Sequence, residues 1–204
     1  VNNYNKEEFI TLGILETIDS QSDITQRRLA SSLGVALGLA NSYLKRCVRK
    51  GLIKIEQAPA NRYLYYLTPR GFAEKSRLTA EYLSTSFDFY RRASASCTRV
   101  FQECKLRGYQ SIVLCGISEL AEIASLKAKD QGIEITGILD VHGHDREFIG
   151  LPVWISLNDT VQFDACILTS FHHSTEYLDL ARQVLPDDKI LFPDILALNK
   201  KTIT

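Results

Sequence analysis

The spacing of apolar residues changes character along this chain, and that change limits the possible folds more than any single motif does. Up to about residue 78 the spacing is first helical and then hairpin-like, and a long stretch with few helix breakers follows. From about residue 108, short apolar runs alternate with helical segments. A chain of 204 residues, 45% apolar and 24% charged, is large enough for two small domains. The spacing predicts an N-terminal domain over 1–68, a connecting helix over 69–107 and a second domain over 108–204.

In the first segment Ile10, Ile14 and Ile18 recur at helical spacing, with Leu15 beside them on one face. Thr25 can cap a short second helix that buries Leu29, Ala30 and Leu33 and stops at Gly34, a residue free to take positive φ. Ala40, Leu44, Cys47 and Val48 form the apolar stripe of a third helix ending at Gly51; its other faces carry Gly38, Asn41, Ser42, Lys45, Arg46 and Arg49. Leu52–Gln57 and Tyr63–Leu67 then read as two strands of a hairpin. Helix, helix, tight turn, basic helix and hairpin make a winged helix-turn-helix, in which the third helix enters the major groove of double-stranded DNA.

Net charge supports that reading. The chain is neutral as a whole, but residues 1–78 carry +5, residues 79–108 carry +2 and residues 109–204 carry −7. A basic module faces a polyanion and an acidic one avoids it. Asn41 and Ser42 suit base edges, Lys45, Arg46 and Arg49 suit phosphates or guanine, and Arg62 at the hairpin tip suits a phosphate or the minor groove. Gln26, Arg27 and Gly38 complete the expected DNA-facing set. The competing reading is a small helical domain with ordinary solvated charges.

Thr25-Gln26-Arg27-Arg28-Leu29-Ala30, Leu37-Gly38, Asn41, Leu44-Lys45 and above all Leu67–Thr79 resemble MarR-type winged-helix regulators associated with exopolysaccharide gene clusters, over roughly residues 8–85. The resemblance implies transcriptional control of polysaccharide biosynthesis. The chain departs from that pattern at Ala36 and Leu39, where a Ser cap and a basic residue are expected.

Thr68 and Pro69 open the long helix as N-cap and first helical residue. Leu83, Phe87, Tyr90, Ser94, Cys97, Phe101 and Cys104 alternate at spacings of four and three, a seam expected to hold a homodimer. The alternative is a linker helix packed on its own domains.

Beyond residue 108 the apolar runs Ser111–Cys115, Ile133–Leu139, Ala165–Thr169 and Ile190–Phe192 predict a parallel sheet covered by helices, an α/β domain with its ligand crevice at the carboxyl ends of the strands. Gly116 ends the first strand and Asp140 the second, the outline of a dinucleotide-binding unit. The glycine loop departs from that unit, because Ser118 stands where a pyrophosphate approaches the backbone and Glu119 brings a negative charge to the helix start. Ile112–Gly116, Gly137–Asp140, Gly150–Val153 and Asp164–Ile167 are similar to the Rossmann-like N-terminal domain of sugar O-acyltransferases and nucleotide-sugar-modifying enzymes. The redox repressors of the Rex family join a similar domain to a winged helix. The first resemblance implies a nucleotide or nucleotide-sugar effector, the second NADH. The expected ligand residues are Gly116, Ile117, Ser118, Glu119, Asp140, His142, Ser170 and His172.

The four histidines, His142, His144, His172 and His173, converge on the same crevice in this topology. Zinc ligation with Asp140, hydrogen bonding to a phosphate or ribose, and uninvolved loop positions are the three readings; no metal and no required cofactor is the expectation, since neither spacing is a metal signature. An enzyme built on an Asp140–His172 acid–base pair is the rival class, but no G-x-S-x-G nucleophile motif accompanies it. The five cysteines are odd in number, form no C-x-x-C pair and lie in apolar segments, which predicts reduced thiols. The polar start of the chain and the lack of an apolar run of about 18 residues predict a cytoplasmic protein without a membrane span. The sequence therefore predicts a dimeric DNA-binding transcriptional regulator, with a small-molecule effector acting on the DNA-binding halves through the joining helix.

Overall fold

The computed structural model describes residues 3–59, 62–143, 146–159 and 162–197. It divides into two compact units, residues 1–87 and 88–204.

The first unit contains α1 (Asn3–Ser20), α2 (Gln26–Ser32), α3 (Leu37–Arg49), the antiparallel pair β1 (Ile53–Ala58) and β2 (Arg62–Leu67), and the first half of α4 (Pro69–Leu106). Ile10, Ile14, Leu15 and Ile18 of α1 pack with Leu29, Leu44, Cys47, Leu52, Tyr65 and Leu78 in one core. The caps follow the sequence. Thr25 accepts a hydrogen bond from the Arg28 amide at 3.2 Å, and Thr68 accepts one from the Gly71 amide at 3.0 Å. α2 ends as the Val35 amide reaches the Ala30 carbonyl around Gly34 at φ +62°, and α3 ends the same way, Leu52 amide to Cys47 carbonyl, around Gly51 at φ +69°. Glycine takes that backbone conformation without a Cβ penalty. The unit is a winged helix-turn-helix.

The second unit holds the rest of α4, then β3 (Ser111–Cys115), α5 (Glu119–Gln131), β4 (Glu134–Leu139), the short pair β5 (Glu147–Phe148) and β6 (Leu151–Trp154), β7 (Ala165–Leu168), α6 (Ser174–Arg182) and β8 (Ile190–Leu191). The sheet order is β5-β6-β4-β3-β7-β8, parallel except for β5. Apart from that edge strand, this is the 3-2-1-4-5 order of doubly wound sheets, which reverses between β3 and β7. Alternate strand residues separate two cores: Ile112, Leu114, Ile138 and Ile167 face α4 and α5, while Val113, Cys115, Leu139, Cys166 and Leu168 face Tyr177, Leu178 and Ala181 of α6.

Two features differ from the sequence reading. Cys97, Phe101 and Cys104, assigned to a dimer seam, lie with Ala93 and Val100 inside the second core, so the apolar spacing of that half of α4 serves its own domain. Among the described residues no α-helix lies between β4 and β7, where the β5–β6 hairpin and a 3-10 turn at Leu157–Asp159 are found. The strands there are two and four residues long, include Pro152, and turn through Ile149 and Gly150, both at positive φ, so they show no apolar period. The five cysteines are buried and form no disulfide. Burial pushes the Cys47 thiol up to about 11 and those of Cys97 and Cys104 up to about 12. Among the described residues no helix is long and apolar enough to cross a membrane.

Candidate nucleic-acid interface and ligand cleft

On α3, burial of Ala40, Leu44 and Cys47 turns the opposite stripe outward. Gly38, Ser42, Lys45 and Arg49 follow one another along that stripe at spacings of four, three and four, all exposed. Lys45 and Arg49 make no ion pair among the described residues, and neither do Arg27 and Arg28 on the exposed side of α2. Arg46 is placed differently. Its guanidinium bonds Glu7 on α1 at 2.8 Å and lies 5.0 Å over the Tyr43 ring, so it ties the recognition helix to the domain. Gln26 donates to the Tyr65 hydroxyl at 3.3 Å. Asn41 is half-buried, and its Oδ1 is sealed from solvent without a partner among the described residues. Such an acceptor costs about 1–3 kcal/mol, so in this setting Asn41 is not presented to the outside as Ser42 and Lys45 are. Arg62 opens β2 opposite Ala58, with its side chain outside the described atoms.

The start of α3 has no side-chain cap, as Ala36 implies. Leu37 and Leu39 are instead exposed there. They were not among the expected contacts, although two apolar residues on the outer start of a recognition helix suit thymine methyl groups. The visible signal was Leu39 standing where a basic residue was expected.

In the second unit, a cleft of about 610 Å³ opens at the carboxyl ends of β3, β4 and β7, at the reversal of strand order. Ile117, Ser118, Glu119, Asp140, His142, Ser170 and His172 all line it, together with Phe148, Phe171, His173 and Tyr177. Gly116 lies outside the lining. At φ +101°, a Cβ on it would stand 2.5 Å from Ser170 Cβ, so glycine lets the loops after β3 and β7 touch. His144 is outside the described residues.

The loop after β3 is satisfied internally. Ser118 Oγ accepts from the Leu120 and Ala121 amides at 3.1 and 3.2 Å and donates to the Thr169 carbonyl at 2.7 Å. Those amides are the helix-start donors a phosphate would use, and Glu119 and Glu122 stand beside them. Among the described residues, no Lys or Arg lines the cleft. Asp140 is buried; it accepts the Tyr177 hydroxyl and, at 3.4 Å, the His142 amide. Burial, and then the bond to Asp140, holds Tyr177 protonated far above the ordinary phenol range. Asp140 is thus engaged by Tyr177 and His142, and the Asp140–His172 acid–base pair is not formed among the described contacts.

A family model for winged helix-turn-helix DNA-binding domains matches residues 10–54. No curated protein matches the chain. Among solved structures, a MarR family transcription regulator is 26% identical over 40% of this chain and 56% of its own, with a TM-score of 0.36. MepR, a transcription regulator of the Staphylococcus aureus multidrug efflux pump MepA, is 24% identical over 41% of this chain and 61% of its own, at 0.35. Human N-acetylserotonin methyltransferase in complex with SAM is 13% identical over 81% of this chain and 66% of its own, at 0.32. The chain thus spans little more than half the length of the two regulators.

Proposed function

We infer that this protein binds double-stranded DNA through α3 and the β1–β2 wing and regulates transcription. The observation that carries this reading is the outward stripe of α3, where Lys45 and Arg49 stand exposed and free of ion pairs among the described residues. Phosphate contacts need cations not already neutralised by the protein. Arg27 extends the basic surface on α2, while Ser42, Leu37 and Leu39 supply contacts to base edges. The resemblance of Leu67–Thr79 to exopolysaccharide-associated regulators makes a polysaccharide gene cluster the regulated target.

The protein acts as a homodimer through the first half of α4. Leu83 and Phe87, 45% and 58% exposed, continue to Tyr90 at heptad spacing and belong to no hydrophobic core among the described residues. A two-fold dimer reads two half-sites about 10 base pairs apart. Selection of bound duplexes from a random pool tests both statements. Recovery of an inverted repeat supports them; recovery of no preferred sequence counts against a regulator.

The cleft in the second unit takes the effector. Its carboxylates and imidazoles suit the hydroxyls of a sugar, which fits the sugar half of a nucleotide-sugar ligand. Among the described residues no cation lines it, which disfavours a pyrophosphate as the anchor, in NADH and in a nucleotide sugar alike. Thermal unfolding with a panel of sugars, nucleotide sugars and NADH separates the two: ligand at about 100 times its dissociation constant adds about 2.7 kcal/mol to stability.

A further inference from the structure

At the mouth of the cleft, two imidazoles and a carboxylate meet that belong to no hydrophobic core. His142 follows β4, while His173 immediately precedes α6 and Glu176 lies in its first turn. His142 Nε2 is 2.8 Å from Glu176 Oε2, and His173 Nδ1 is 3.4 Å from the same oxygen. The two rings lie 4.0 Å apart, centre to centre, at 30° to one another. One ligand atom from each residue falls within 4.8 Å of the others. Ligand atoms on tetrahedral zinc, at bonds of about 2.0–2.1 Å, stand about 3.3 Å apart, so small side-chain rotations bring this set to an ion-sized centre.

We propose that His142, His173 and Glu176 form a binding site for a divalent transition-metal ion, zinc above all. Two imidazole nitrogens and one carboxylate oxygen are a borderline ligand set that zinc accepts, with a fourth position left for water or another ligand. His142 and His173 also line the cleft, so that fourth position lies beside whatever the cleft holds.

The backbone holds the ligands in place before any ion arrives. The His142 amide donates to buried Asp140, and the His173 amide donates to Ser170 Oγ at 3.1 Å. Tyr177, one residue beyond Glu176, bonds Asp140 and meets the His142 ring edge-on at 6.1 Å. A single buried acid–phenol pair therefore joins the loop after β4 to the first turn of α6, which is how a supporting shell orients metal ligands. The three side chains are 42–49% exposed, open to an ion from solvent. The sequence groups the four histidines with Asp140. In the structure Tyr177 takes Asp140, and Glu176, which no motif marks, stands in its place.

Zinc titration of the metal-stripped 204-residue chain by calorimetry tests the site, alongside Glu176→Gln, His173→Ala and His172→Ala. The expected result is one ion per chain, with affinity reduced at least about tenfold in the first two variants, since even a supporting partner is worth that much. His172→Ala, which alters a cleft histidine outside the triad, keeps wild-type affinity. Absence of zinc uptake by the wild-type chain overturns the proposal, as does uptake that Glu176→Gln and His173→Ala leave unchanged, or an equal loss in His172→Ala. Unfolding curves recorded without metal confirm that each variant is folded, and His142→Gln replaces any that is not. No DNA is present, so this result and the DNA-binding result are independent.

Discussion

Tyr177 is buried almost completely, and its hydroxyl donates to the buried carboxylate of Asp140. Tyr177→Phe keeps the ring and removes the donor, leaving the carboxylate short of a partner. It should lower stability by about 1–3 kcal/mol in urea unfolding, and an unchanged midpoint would show that Asp140 finds another partner. Asp164 behaves differently because it is held by backbone: the amides of Gln110 and Ser111 donate to it at 2.8 and 2.9 Å and keep its carboxyl below the usual range. A folded-state value lower than the unfolded one, near about 3.9, gives stability that is present above that value and lost as pH falls through the folded one. Asp164→Asn should therefore be less stable at neutral pH and lose less on acidification, as chemical unfolding at pH 7 and pH 3 would show. Asp140 was legible in the sequence as the acid ending a strand, and Ser118 as a residue obstructing the glycine loop. Tyr177 and Glu176 were not legible, because their roles arise only when the start of α6 meets the end of β4 across the sheet.

Helix ends were the most legible elements, since caps are local chemistry. Thr25, Gly34, Gly51, Thr68 and Pro69 stand at the boundaries their residue types imply. Thr68 also donates to the Gly51 carbonyl at 2.7 Å, so its hydroxyl joins the end of α3 to the start of α4. Thr68→Ala should cost about 0.5–2 kcal/mol by thermal or urea unfolding, and Thr68→Ser should recover most of it. The β5–β6 hairpin was illegible because strands of two and four residues carry too little pattern. α4 misled for the opposite reason: a spacing of four and three describes equally a helix packed on a sheet and a helix packed on a second copy of itself. Burial divides it. Cys97, Phe101 and Cys104 are core, while Leu83 and Phe87 remain exposed. If that exposed face is the dimer contact, Phe87→Glu should yield monomers in sedimentation velocity without loss of folded structure; a dimer that persists would place the contact elsewhere.

At the scale of the whole molecule, the charge gradient follows the division into two units. The basic first unit presents Arg27, Arg28, Lys45 and Arg49, which make no ion pair among the described residues, and the acidic second unit presents carboxylates and imidazoles around a cleft. The winged helix and the α/β sheet were readable from period, whereas Arg46 was not separable from Lys45 and Arg49 until the position of Glu7 was known. DNA binding is read from the salt dependence of the chain's affinity for labelled duplex. Affinity should fall steeply between about 50 and 200 mM salt, with a salt slope reduced by about 1 in Arg49→Ala and weakening in that variant across all sequences alike. Absence of duplex binding, or binding that neither salt nor Arg49→Ala changes, would contradict it.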